Sequence, residues 1–303
     1  MNLHLDKIMF DDIVTEVSEG LNIHRSIIIK DYFVTLILLT LKEFYPEFIF
    51  KGGTSLSKCY DAINRFSEDI DLSYHVTGDE NITQRRIKSA NKGIKEAINA
   101  LGFDHENEED FKSGRKFQRF DIGFGFYEDT SLVRDHIIIE NSVLTISFPV
   151  VELCIESLIG KYLNDYGKEA ISELYGLYSF GVLVQDIRRT FIDKIYAICD
   201  YYLEDKAEEH SRHIYDVHML YSKIGDLENL KELIPQVRKE REGNIKSLSI
   251  IGNHKIKDIL DRIIQEDFYK RDYRIITKNL LYDNTSYEEA INTLKKISLI
   301  NIF

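Results

Sequence analysis

Apolar and polar positions follow two rhythms along this chain. Residues 7 to 45 set Ile27, Ile28, Phe33, Leu36, Leu39 and Leu41 on one apolar face, which predicts helix. Ile29-Lys30-Asp31-Tyr32 lies in that stretch, and the pattern predicts a packing helix with Lys30 and Asp31 on its solvated side. The run Phe48-Ile49-Phe50 then reads as a buried strand, broken by Lys51-Gly52-Gly53-Thr54-Ser55. Leu56, Tyr60 and Ile63 return to near-helical spacing, and Arg65-Phe66-Ser67-Glu68 turns the chain into Asp69-Ile70-Asp71-Leu72. That last run alternates carboxylate with apolar side chains, as a strand with one wet face does.

The clearest amphipathic helix spans residues 83 to 101. Ile87, Ala90, Ile94, Ala97 and Leu101 form its apolar stripe, and Arg85, Lys88, Lys92 and Lys95 form a basic row on another face. An acidic loop, residues 104 to 110, leads to two β-like runs, 116 to 127 and 136 to 142, the second continuing to Ile146 or Phe148. From Pro149 the pattern predicts helices. VVELCIESLIGKYLNDYG is closed by Gly167, and helices over 183–204 and 206–224 follow. Ser286 and Glu289 make a capping box for a last helix, Tyr287 to Ile300. The expected fold is α/β (α+β): a mixed-sheet domain over residues 1–150, then a mostly helical domain over 151–303 that completes the active-site cleft.

Composition narrows the setting. The 303 residues are 44% hydrophobic with 17 Phe and 18 Tyr, enough to fill real cores in two domains. Only 3 Pro and no low-complexity tract argue against long disordered linkers. Cys59, Cys154 and Cys199 form no C-x-x-C pair and read as thiols of a reduced compartment. The N-terminus mixes charge with apolar residues and reads as no signal peptide. The longest apolar run, Phe33 to Leu41, is far too short for a bilayer span. The expectation is a soluble, cytoplasmic protein without membrane partners. A net charge of −12 disfavours broad contact with nucleic acid and confines any such contact to a small basic surface.

Candidate chemistry concentrates in Phe48 to Tyr74. Two glycines allow close backbone approach, and Thr54 or Ser55 can cap a helix whose N-terminal amides favour an anion. Asp69 and Asp71 project from one strand face. A phosphate cradle beside paired carboxylates suits Mg2+-assisted chemistry on a nucleotide. Glu140 in HIIIEN and Asp121 in RFDIGF are carboxylates on the two later β-like runs, and either reads by itself as an ordinary outward-facing strand residue. Gly123 and Gly125 sit in a strand-like context and make no dinucleotide fingerprint. His210, His213 and His218 have no cysteine partner at zinc spacing, and no G-x-S-x-G elbow or Cys-His signature supports nucleophilic hydrolysis.

The glycine turn followed by D-x-D resembles the signature of the DNA polymerase β-type nucleotidyltransferase superfamily. The fuller KGGTSLSK…RFSEDIDL is similar to the AbiEii/AbiGii family, nucleotidyltransferase toxins of type IV toxin–antitoxin and abortive-infection systems. Gly53 and Asp69 stand 16 positions apart, which suits this branch. Two further elements carry the likeness: Thr190-Phe191-Ile192-Asp193-Lys194, with Asp193 where Glu is commoner, and Arg212-His213-Ile214-Tyr215-Asp216-Val217. Taken alone, Arg212 and Asp216 are an ordinary i,i+4 pair on a helix.

The resemblance implies a polymerase β-like nucleotidyltransferase fold using NTP and two Mg2+ ions. These would be held by Asp69, Asp71 and a third carboxylate from a neighbouring strand, which the family's h-h-E-h pattern assigns to Glu140 in HIIIEN, with Asp121 as its rival. Lys51, Gly52, Gly53, Thr54, Ser55, Lys58, Ser67 and Arg212 would bind the nucleotide and its phosphates. Lys194 would neutralise the triphosphate, and Asp216 would orient that lysine or a substrate hydroxyl. The implied reaction transfers a nucleotide to an RNA, at the tRNA 3′ end, which stops growth and serves phage defence, with a cognate antitoxin as partner. The basic row Arg85, Lys88, Lys92 and Lys95 is the candidate RNA contact. Alternatives are transfer to a protein hydroxyl and a nucleotide-binding regulatory protein without turnover.

Overall fold

The computed structural model describes residues 2–67, 69–75, 80–105, 116–125, 134–144, 146–252 and 254–303. The expected acidic loop beyond residue 105 and the end of the first β-like run, 126 and 127, lie outside these. The chain divides into two compact units: residues 1–54, 68–143 and 151–184 form the first, and 55–67, 144–150 and 185–303 the second. The division is therefore not one cut near residue 150, and the stretch Phe48 to Tyr74 contributes to both.

In the first unit, the helical pattern before residue 45 resolves into α1 (Lys7–Leu21) and α2 (Arg25–Phe44). Asn22 adopts a left-handed conformation between them, and the His24 side chain caps α2 by accepting from the Ser26 N–H. The strand β1 (Ile49–Lys51) runs directly into α3 (Gly52–Lys58). Then come β2 (Ile70–Ser73), the amphipathic α4 (Glu80–Leu101), β3 (Asp104–His105), β4 (Phe117–Gly123) and β5 (His136–Ser142). The segment after Pro149 is not the expected single helix. It is β6 (Val150–Ile155) followed by α5 (Leu158–Asp165), with Gly167 at a positive φ just beyond. A short apolar run carries too few turns for periodicity to separate strand from helix. After α6 (Glu169–Tyr175), β7 (Phe180–Gln185) takes the start of the expected 183–204 helix.

Among the described residues, seven strands form one mixed sheet in the order β3-β4-β5-β2-β1-β7-β6. Strand β2 pairs antiparallel with β1 and parallel with β5, and β1 pairs parallel with β7. Its buried face carries Phe50, Leu72, Asn141 and Gln118 in register, and Asn141 Nδ2 donates to Asn91 Oδ1 of α4 at 2.8 Å. Phe33 of α2 packs between Phe124 and Phe103, with ring centroids at 4.6 and 5.6 Å. Lys30 is not on a solvated side, and Asp31 is half-buried. Lys30 is 1% exposed and donates to the Arg134 carbonyl, and Asp31 accepts from the Leu158 N–H at the start of α5.

The second unit is built on α7 (Ile187–Leu203), capped by Asp186, and α8 (Arg212–Ile224), which starts later than the expected residue 206. The chain continues through α9 (Leu233–Arg241), α10 (Leu248–Ile251) and α11 (Ile256–Gln265) to the last helix, Tyr287–Ile300, which has the expected Ser286–Glu289 capping box. Phe191, Ile195, Tyr196, Tyr215, Leu220 and Leu294 fill its core, each contributing on the order of 1.5–3 kcal/mol by burial. Among the described residues, no helix is long and apolar enough to cross a membrane.

Candidate active site

The glycine turn is shorter than the sequence suggested. The helix begins at Gly52 itself, so Thr54 and Ser55 are its third and fourth residues rather than caps. Gly52 has φ +79°, and a Cβ there would stand 1.8 Å from Asp71 Oδ2. Only glycine lets the backbone turn under that carboxylate. Buried Thr54 donates its hydroxyl to the Asp69 carbonyl at 2.6 Å, which ties the helix to the backbone just before β2. Ser55 is fully buried.

Sheet register sets the next layer. Lys51, Asp71, Glu140 and Arg119 are aligned across β1, β2, β5 and β4, so they project from one face as a charged row. Asp69 lies two residues ahead of Asp71, and its Oδ1 accepts from Arg134 Nη1 at 3.2 Å. Asp121 sits one strand beyond Glu140 and receives Arg119 Nε at 2.7 Å. That hydrogen bond, with the field of Glu140 and Asp69, holds Arg119 protonated above its ordinary range. Glu140 is thus the carboxylate in direct register with Asp71, while Asp121 lies on the next strand and accepts from Arg119.

The carboxylate oxygens of Asp69, Asp71 and Glu140 fit a hard divalent cation in kind. Gly52 leaves room at Asp71 that any other residue would fill. Among the described residues, no three His, Cys, Asp or Glu side chains already converge as a metal cage.

The second unit holds the other cluster. Asp216 is fully buried, and Arg65 reaches it from Nε to Oδ1 at 2.7 Å and from Nη2 to Oδ2 at 2.8 Å. Lys194 Nζ stands 2.6 Å from Oδ2. Burial alone would raise the Asp216 carboxyl, but Arg65 and Lys194 hold it well below the usual carboxylate range. Burial lowers Lys194, which shares the Asp216 carboxylate with Arg65. His213 is driven well below its ordinary value by burial and by the nearby Lys194 and Arg212.

The sequence suggested an Arg212–Asp216 pair, yet both Asp216 oxygens are taken by Arg65 and Lys194. Arg65 is the residue that pattern reading missed. Its only signal was its place in RFSEDIDL, because its partner lies 151 positions away. The backbone secures it: Arg65 bridges Leu281, the Phe66 N–H donates to the Leu280 carbonyl at 2.8 Å, and the Asn64 N–H donates to the Tyr215 hydroxyl at 3.0 Å.

Asp193, beside Lys194 in sequence, has a different fate. It accepts from Arg189 at 2.9 Å, Arg241 at 3.1 Å and Gln185 at 3.2 Å, inside an ion network that also takes in Glu240 and Asp200. Lys58, Ser67 and Arg212 are half-buried in this unit. The Tyr201 ring stacks on His210 at 3.5 Å and lies parallel to His213. On α4 of the first unit, Arg85, Lys88 and Lys92 are exposed, Lys95 is half-buried, and Lys92 pairs with Glu96 at 3.5 Å.

No curated protein matches the chain. Among solved structures, the crystal structure of JHP933 from Helicobacter pylori superposes with a TM-score of 0.49 at 16% sequence identity, covering 92% of this chain and 93% of that one. The model of the family described as "Nucleotidyl transferase AbiEii toxin, Type IV TA system" matches residues 37–293, a span holding the glycine turn, the charged row and the Arg65–Asp216–Lys194 cluster. The chain therefore belongs to the AbiEii nucleotidyl transferase toxin family of type IV toxin–antitoxin systems.

Proposed function

We propose that this protein is a Mg2+-dependent nucleotidyltransferase that moves a nucleoside monophosphate from an NTP to an RNA hydroxyl, at the tRNA 3′ end, and thereby inhibits growth. The observation that carries the reading is the register of Asp71 with Glu140 on the face that also presents Asp69, with Gly52 tucked beneath Asp71. Asp69, Asp71 and Glu140 would hold the metal, which when bound offsets charge on the phosphates. Lys51 and the backbone at Gly52 and Gly53 bind phosphate oxygens. Lys194, aimed by Asp216, is the cation we assign to the triphosphate. The acceptor oxygen bonds to the α-phosphorus as the α–β bridging bond breaks, pyrophosphate leaves, and a carboxylate of the same face takes the hydroxyl proton. The exposed row Arg85, Lys88 and Lys92, with Lys95, is the surface we assign to RNA phosphates. A cognate antitoxin is the expected regulatory partner.

The test is incubation with Mg2+, each α-labelled NTP, total tRNA and cell lysate. Label in tRNA that disappears in Asp69→Ala supports the reading. Label in protein alone replaces the RNA acceptor with a protein hydroxyl. NTP binding without transfer to any acceptor points to a regulatory protein instead.

A further inference from the structure

Arg134 stands at the charged face without belonging to any strand or motif singled out in the sequence. Its Nη1 donates to Asp69 Oδ1 at 3.2 Å, from 65 positions away in the chain. Its backbone is pinned from the other side: the Lys30 ammonium, 1% exposed in α2, donates to the Arg134 carbonyl at 2.7 Å. A buried ammonium is costly unless hydrogen-bonded, so Lys30 is a firm anchor. The Arg134 side chain itself is 45% exposed. Its main chain is therefore fixed while its guanidinium has room to turn.

The charges around it give this arrangement a direction. Asp69, Asp71, Glu140 and Asp121 share the face with Lys51, Arg119 and Arg134, so negative charge exceeds positive there. A divalent cation arriving at Asp69 repels the guanidinium that now neutralises it. The triphosphate arriving with that cation offers planar oxygen pairs that suit a guanidinium better than an ammonium.

We propose that Arg134 is a nucleotide-binding residue that exchanges partners, pairing with Asp69 in the resting protein and with the NTP phosphates once a divalent cation occupies Asp69, and that Lys30 is its positioning residue. This rests on the nucleotidyltransferase reading above. It adds a phosphate contact outside the glycine turn and a counter-ion that offsets part of the negative charge of the metal site before substrate arrives.

Two binding measurements on the intact protein test it, using Arg134→Gln, whose 45% exposed side chain should leave circular dichroism and melting unchanged. Mn2+ alone, followed by its electron paramagnetic resonance signal, should bind R134Q several-fold more tightly than wild type, because a competing cation is gone. Non-hydrolysable NTP analogues with Mg2+ should bind R134Q about tenfold more weakly. Lys30→Met should weaken analogue binding as well, and adding R134Q to it should cost nothing more, since the lysine acts through the arginine. Equal analogue affinity in R134Q and wild type overturns the exchange alone. Wild type that binds no NTP at any Mg2+ concentration overturns the nucleotidyltransferase reading and the exchange with it. Full additivity of the two substitutions overturns the role of Lys30.

Discussion

Arg65 and Asp216 meet through two parallel hydrogen bonds, Nε to Oδ1 at 2.7 Å and Nη2 to Oδ2 at 2.8 Å, with both side chains buried. Lys194 completes the cluster at 2.6 Å from the same carboxylate. Two cations thus share one anion out of water, and the three residues should differ sharply when removed one at a time. Asp216→Asn removes the buried charge that both cations contact and should cost about 3–5 kcal/mol in urea unfolding. A loss below about 1 kcal/mol would show that the pair does not hold the fold.

Lys194→Met should behave in the opposite way. It leaves the matched Arg65–Asp216 pair and removes an ammonium that burial already disfavours. Stability should stay within about 1 kcal/mol of wild type or rise. Nucleotide transfer should fall by two orders of magnitude or more. Retained transfer in a folded K194M protein would remove Lys194 from the chemistry.

Stability should fall on acidification, in two steps. His213 titrates in the folded state well below its unfolded value of about 6.5. As pH drops below that value the unfolded chain takes up a proton that the folded chain refuses. The loss is about 1.4 kcal/mol per pH unit for one such group until the folded value is reached. His4, His210 and His218 are lowered too and act in the same sense. Asp216 contributes stability that is present above about pH 4 and lost as pH falls toward its depressed folded value. Urea titrations between pH 7 and 4 should show a shallower slope for His213→Gln, and parallel profiles would refute this account.

Gly52→Ala should disable the protein locally. The added Cβ falls 1.8 Å from Asp71 Oδ2 at a residue with φ +79°. The backbone strain alone costs about 1–2 kcal/mol. Transfer activity should drop at least a hundredfold, because Asp71 must leave its place. Wild-type activity in G52A would mean that Asp71 does not need that position.

Glu140→Gln and Asp121→Asn distinguish the two candidates for the third carboxylate. Glu140 is aligned with Asp71, whereas Asp121 is hydrogen-bonded to Arg119. E140Q should lose Mg2+-dependent transfer by two orders of magnitude, and D121N should stay within tenfold of wild type. The reverse ranking would move the metal site one strand over.

Much of the fold near the site could be read from local pattern. The alternation in Asp69-Ile70-Asp71-Leu72 matches β2, the stripe of Ile87, Ala90, Ile94 and Ala97 matches α4, and the Ser286–Glu289 box opens the last helix where expected. The pattern failed over Val150–Ile155 and over residues 183–185, where helix was expected. There the apolar runs are too short for periodicity to separate strand from helix, and pairing within the sheet decided the outcome.

The sequence by itself determined the kind of chemistry present: glycines at a strand end, carboxylates at alternate positions, and a lysine and an aspartate within helical segments. Residue type and short spacing are local properties, and local properties survive in one dimension. Only the tertiary structure decided the partnerships. Sheet register aligned Glu140 rather than Asp121 with Asp71, and chain folding gave Asp216 to Arg65 and Lys194 rather than to Arg212. It also placed Arg134 on Asp69 and buried Lys30 beneath it. Each of those pairings joins residues tens to more than a hundred positions apart, the nearest being Lys194 with Asp216, which lie on separate helices. Electrostatic and hydrogen-bond energies depend on distance in space, and a sequence carries no record of that distance.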